Sequence, residues 1–193
     1  MEVSDAAVVS QVLAGDQDAF RVLVERHSRS IYAMVHRMTG SPHDTEEIIQ
    51  EVFLRAYTKL KSFELRSSFA TWLYRIAVNR TLDFLSAKKM NDTCQIAENP
   101  DPEAHGEQVQ LRSGSPGPDR LLLSTEIESR IADAMKRLTP VEHMAFTLRH
   151  LEGKSIEEIS QVLNLRADAA KNSIYRAVQK LRHQLAPLVS VAK

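Results

Sequence analysis

Three groups of side chains in this sequence are spaced to do chemistry. The first runs from Lys171 to Gln179. If this segment is helical, Asn172, Tyr175, Arg176 and Gln179 fall on one outward face with Lys171 flanking, while Ala170, Ile174, Ala177 and Leu181 fall on the buried one. Lysine and arginine there would meet phosphates or guanine edges, and an asparagine amide can pair with adenine. The second group joins the loop Ser62-Phe63-Glu64-Leu65-Arg66-Ser67 to Trp72, Arg75 and Asn79. An indole beside a guanidinium and an amide suits unpaired bases, which stack on aromatic rings and are read through hydrogen bonds. Core packing explains Trp72 equally well. The third group is Asp44, Glu47, Gln50, Glu51 and Leu54. It leaves a leucine on the outward side of a helix, framed by carboxylates and an amide. Such a leucine is either a solitary exposed side chain, which is common, or a docking patch for a basic partner helix. Asp44, Glu47 and Glu51 at i, i+3 and i+7 also sketch a metal site. No Glu-x-x-His motif or second carboxylate helix supports one.

These groups need helices to hold them, and the sequence supplies helical signals. Ser4 can cap a first helix carrying Val8, Val9, Val12 and Leu13 that stops at Gly15. Asp16 can start a second, where Phe20, Leu23, Val24, His27, Ile31, Val35 and Met38 recur at helical spacing up to Gly40. A third runs from about His43 to Lys61 and buries Ile48, Val52, Phe53, Ala56 and Leu60. A fourth runs from Ser68 to about Lys89 and is apolar on most of its circumference. Further helices are expected near 121–138, 140–152, 155–163 and 168–186. Pro140 is suited to a first turn, and Ser155 with Glu158 forms a capping box. Asn164 is suited to a left-handed stop, and Asp168 to an N-cap. The last two helices and their short turn read as a helix-turn-helix.

The chain of 193 residues has 25 basic and 25 acidic side chains. Residues 1–90 hold 12 basic and 11 acidic groups, residues 91–125 hold 2 and 6, and residues 126–193 hold 11 and 8. The acidic middle segment carries Asn99-Pro100-Asp101-Pro102 and Ser113-Gly114-Ser115-Pro116-Gly117-Pro118 and few large apolar residues, so it reads as a linker. The expected architecture is all-α: two small helical domains, 1–90 and 126–193, on a flexible acidic tether. Apolar stretches fall short of the roughly 20 residues that span a bilayer, the N-terminus lacks a basic leader, and the one cysteine, Cys94, forms no intramolecular disulfide. Cytoplasm is the default compartment. No nucleophile pairing, metal spacing or Gly-rich phosphate loop marks an enzyme, a cofactor or a small-molecule substrate.

Together the motifs resemble the extracytoplasmic-function sigma factors of bacterial RNA polymerase. Asp44 through Ala56 is similar to the family's region 2.2, Phe69 through Asn79 to regions 2.3 and 2.4, and Leu138-Thr139-Pro140 through Ile159 to region 4. The resemblance implies that Asp44, Glu47, Gln50, Glu51 and Leu54 dock on the coiled coil of the polymerase's largest subunit. It implies that Phe63, Arg66, Trp72, Arg75 and Asn79 recognise and open the −10 element. Lys171, Asn172, Ser173, Tyr175 and Arg176 would then contact the −35 element. Core RNA polymerase, including the flap of its β subunit, and promoter DNA are the implied partners, and many family members are held inactive by an anti-sigma factor. The sequence departs from the family at the start of the recognition helix. Asp168-Ala169-Ala170-Lys171-Asn172-Ser173 stands where Gly-Thr-Val-Lys-Ser-Arg is common, which removes an arginine and adds a carboxylate. On the residues alone, a polymerase-independent helix-turn-helix regulator and a helical adaptor without a DNA role stay open.

Overall fold

In the computed structural model, which describes residues 3–64, 67–98 and 129–191, every regular element is helical. The helices form two compact units. The first contains α1 (Asp5–Leu13), α2 (Phe20–Thr39), α3 (Pro42–Lys59) and α4 (Phe69–Glu98). The second contains α5 (129–136), α6 (Pro140–Phe146), the start of α7 (Ile156–Leu163) and α8 (Ala167–Val191).

Local signals set the helix ends of the first unit. Ser4 caps α1 by accepting from the Ala7 amide, and Asp16 caps a single 3-10 turn, Gln17–Ala19, that leads into α2. Gly40 ends α2 at φ +67°, a left-handed conformation that costs a residue without Cβ little. The Ser41 side chain then accepts from the Asp44 amide, with Pro42 in the first turn. At this corner Thr45 is fully buried, and its hydroxyl is held by the Ser41 carbonyl (2.6 Å) and by Thr39 (2.8 Å). Leu23, Ile31, Met34 and Val35 of α2 meet Ile48, Val52 and Ala56 of α3 and Leu73, Ala77 and Val78 of α4 in the core. The stripes on α2 and α3 lie where the 3.6-residue period put them. Leu13 is the exception: it lies past the last turn that α1 packs, and is 46% exposed.

Two helix boundaries moved, in addition to the end of α8, which runs to Val191 rather than stopping near 186. α4 runs to Glu98, beyond the expected end near Lys89, so Cys94 falls within a helix rather than in the linker. Residues 91–98 contain neither proline nor glycine, and the first breaker in the sequence is Pro100. The rest of the expected linker lies outside the described residues. Asp168 is not the N-cap of α8. That helix begins at Ala167, the Ala170 amide reaches the Arg166 carbonyl (3.0 Å), and Asp168 sits inside the first turn, where its charge complements the helix dipole.

The second unit is built on two capping boxes. Thr139 and Glu142 exchange bonds at the start of α6 (3.3 and 2.9 Å), as do Ser155 and Glu158 at the start of α7 (3.1 and 2.9 Å). Ala134, Leu138, Ala177 and Leu181 cluster in its core with Phe146 and Leu185 packed on them. The end of α6 widens into a π turn over Thr147–Leu151. Ser155→Ala removes the acceptor for the Glu158 amide. It is expected to lower the stability of this unit by about 1 kcal/mol, read as a lower urea midpoint at an unchanged slope.

Candidate functional site

On α3 the buried stripe leaves an opposite face, and Leu54 stands in it 64% exposed with Glu47, Gln50 and Thr58 also at the surface. The two remaining acids of the group are not free. Arg80 of α4 grips Glu51 with two hydrogen bonds, its Nε on one carboxylate oxygen and its Nη2 on the other at 2.7 Å. Arg55 lies 3.5 Å away. Lys88 of α4 holds Asp44 at 2.7 Å. Two of the three carboxylates considered for a metal are therefore already neutralised by cations, and among the described residues no cluster of three His, Cys, Asp or Glu side chains is placed to hold an ion. The Arg80 hydrogen bonds hold the Glu51 carboxyl below its ordinary value of 4.5, against a smaller upward push from burial. A carboxylate whose folded-state pKa is lowered lends stability above the unfolded value and loses it as pH falls through the folded one. Unfolding midpoints of the wild type are thus expected to drop more steeply below about pH 4.5 than those of Glu51→Gln; parallel curves would contradict this.

The aromatic group of the first unit is arranged differently from its expectation. Trp72 shares a side of α4 with Arg75 and Asn79, but Phe63 folds over it with ring centroids 5.2 Å apart, and Phe69 packs at 5.7 Å. Phe63 and Trp72 are each 7% exposed. A ring so covered is no ready stacking platform, so core packing describes Trp72 in this conformation. Arg75 and Asn79 do reach the surface beside it. Arg66 lies outside the described residues. Behind the cluster the His27 ring packs tilted against Phe69 (5.5 Å), and its Nε2 meets Asp5 of α1 at 2.7 Å, with Arg26 on the other Asp5 oxygen at 2.9 Å.

In the second unit α7 ends at Asn164, which takes φ +52°, the left-handed stop expected there. The turn that follows brings α8 in with Lys171, Asn172, Tyr175, Arg176 and Gln179 exposed, Tyr175 at 64%. Ser173 is half-buried and spends its hydroxyl on the Ala169 carbonyl one turn back (2.9 Å), so its donor is not directed outward. Lys180 crosses to Glu142 at 2.6 Å.

Sequence reasoning missed the cross-helix partners Arg80, Lys88, Asp5 and His27. The only available signal was that α4 places Arg80 and Lys88 two turns apart, as α3 does Asp44 and Glu51.

Residues 23–90, which carry both faces of the first unit, match the Sigma-70 region 2 family, and residues 128–181 match Sigma-70, region 4. The chain is 34% identical to the ECF RNA polymerase sigma factor SigW of Bacillus subtilis over 97% of its own length and 100% of the relative's. It is 32% identical to the ECF RNA polymerase sigma-E factor of Escherichia coli K12 over 97% of both. This chain belongs to the ECF RNA polymerase sigma factors. It directs promoter-dependent initiation by RNA polymerase. Two solved structures share the fold of this one. CnrH, solved in complex with the cytosolic domain of CnrY, aligns with a TM-score of 0.64 at 24% identity over 93% of this chain and 96% of that one. RpoE of Bartonella quintana, solved with the anti-sigma factor NepR, aligns at 0.63 and 19% identity over 86% and 96%. The region 2 match spans α3 with its exposed Leu54, and the region 4 match ends at Leu181, past the exposed basic stretch of α8.

Proposed function

We propose that this sigma factor docks on core polymerase through the outer face of α3, reads the −10 element with α4 and the loop before it, and reads the −35 element with α8. The observation that carries the docking role is Leu54, an apolar side chain 64% exposed in the middle of a helix whose other large aliphatic positions are covered. Glu47 and Gln50 beside it provide acceptors for a basic partner helix. On α4, Arg75 and Asn79 make the first promoter contacts, and Trp72 forms the floor beneath the Phe63 loop. Extruding a base costs a few kcal/mol, and stacking returns about 1–3 kcal/mol per base, so opening needs polymerase contacts in addition but no nucleotide hydrolysis. On α8, Lys171 and Arg176 serve phosphates or guanine, and Asn172 and Tyr175 contact base edges. Charge that sums to zero gives the free chain little counterion release, so DNA binding is weak until the polymerase spaces the two units over both elements.

The protein works without a catalytic centre of its own, and the cytoplasm is where it meets polymerase. No helix among the described residues is long and apolar enough to cross a membrane. The complex of RpoE with the anti-sigma factor NepR supports an anti-sigma partner for this chain as well. Run-off transcription with purified core polymerase across a promoter library tests the whole reading. Selective initiation that depends on this chain supports it, and the absence of any selective start on every template refutes it.

A further inference from the structure

The α3 docking face and the α4 promoter face meet at Arg80. Its guanidinium lies over the Phe84 ring (5.7 Å to the centroid) and is clamped to Glu51, with only 16% of the side chain exposed. The preceding residue, Asn79, is exposed, and so is Asp83 one turn on. Arg80 therefore sits on the rim of the α4 strip that begins at Arg75, turned away from it by a carboxylate belonging to the opposite face. The other charges near it are Glu47 and Asp83, both acidic. Glu51 in turn has Arg80 on both oxygens and Arg55 at 3.5 Å.

We infer that Arg80 is a promoter-phosphate contact held in reserve by Glu51, and that docking on the polymerase releases it. This rests on the reading of α3 and α4 given above. A basic partner helix arriving at Leu54 brings further positive charge to a carboxylate that already serves two guanidinium groups. Like charges a few ångströms apart repel, and at the protein surface that repulsion is comparable to the attraction of the exposed part of the clamp. The side chain that yields is the one with another destination, and a phosphate beside Asn79 accepts a guanidinium through two hydrogen bonds as a carboxylate does. Docking and promoter binding thereby become coupled, and by linkage the coupling acts in both directions.

A double-mutant cycle on the full chain tests this. Salt-dependent binding of a 30-base-pair duplex is measured for wild type, Glu51→Gln, Arg80→Gln and the double variant, with Glu46→Gln, an exposed acid, as the charge-matched control. Glu51→Gln is expected to raise the affinity of the free chain about three- to tenfold and to steepen its salt dependence by about one released counterion, and to do neither when residue 80 is already glutamine. An equal gain in both backgrounds, or a gain no larger than that of Glu46→Gln, means net charge alone and overturns the inference. A second measurement does not depend on Glu51 variants folding. Arg80→Gln is expected to weaken promoter binding by the holoenzyme several-fold while leaving the free chain's DNA affinity unchanged; equal losses in both overturn it. Arg75→Ala separates the two levels of the argument. If it impairs promoter opening while the cycle shows no coupling, the Arg80 role fails alone. If opening is unimpaired, the reading of α4 fails with it.

Discussion

Leu54→Glu is expected to remove binding to core polymerase while leaving the fold unchanged. Burying a leucine against a partner contributes about 1.5–3 kcal/mol, and a carboxylate put in its place must be desolvated or the interface must open around it. A combined loss above about 2 kcal/mol, the usual threshold for an interface hot spot, means at least about a 30-fold weaker complex. The folded monomer has no reason to respond, because the side chain is 64% exposed; surface changes of this kind stay within about 0.5 kcal/mol. Competition with a labelled sigma factor for core polymerase, alongside a thermal melt, reads both quantities. Wild-type competition by the variant would end the docking role of this face, whatever happened to transcription. Gln50→Ala, which deletes a single rim amide, is expected to weaken the complex far less.

The second large effect concerns α8. Arg176→Ala is expected to lower transcription from −35-dependent promoters by about 1–3 kcal/mol, or about 5- to 150-fold, and to relax base preference at one position of the element. Lys171→Ala is expected to weaken all sequences alike and to reduce the salt slope of promoter binding by about one. The contrast carries the argument, since lost folding of the unit would depress both properties together. Neither residue contributes to the core formed by Ala177 and Leu181. Transcription across promoters with a randomised −35 hexamer separates the outcomes, and an Arg176→Ala profile of unchanged shape would remove this residue from base readout. Ser173 is expected to matter less than its neighbours, because its hydroxyl is committed to the Ala169 carbonyl.

What the residues alone disclosed followed from periodicity and end signals. Ile48, Val52 and Ala56 could be placed in the core, and Leu54 outside it, because a single helix fixes their angular relation. Ser155, Glu158 and Asn164 could be placed because capping and left-handed stops act within a few residues. What stayed hidden depended on register between helices. That Glu51 is gripped by Arg80, or Asp44 by Lys88, depends on how α4 lies along α3, and separations of 29 and 44 residues carry no local signature. The covering of Trp72 has a related cause. Its position on α4 is on the outward side, and only the path of the preceding loop brings Phe63 down over it.

The paired caps at Thr139 and Ser155 have a kinetic consequence. Helices that mark their own starts do not wait for distant strands of chain to arrive, and small helical units of this kind reach their native form in microseconds to milliseconds. A ribosome adds only about 5–20 residues each second, so each module is ready almost as soon as it leaves the exit tunnel. The time from message to working factor is then set by synthesis rather than by maturation.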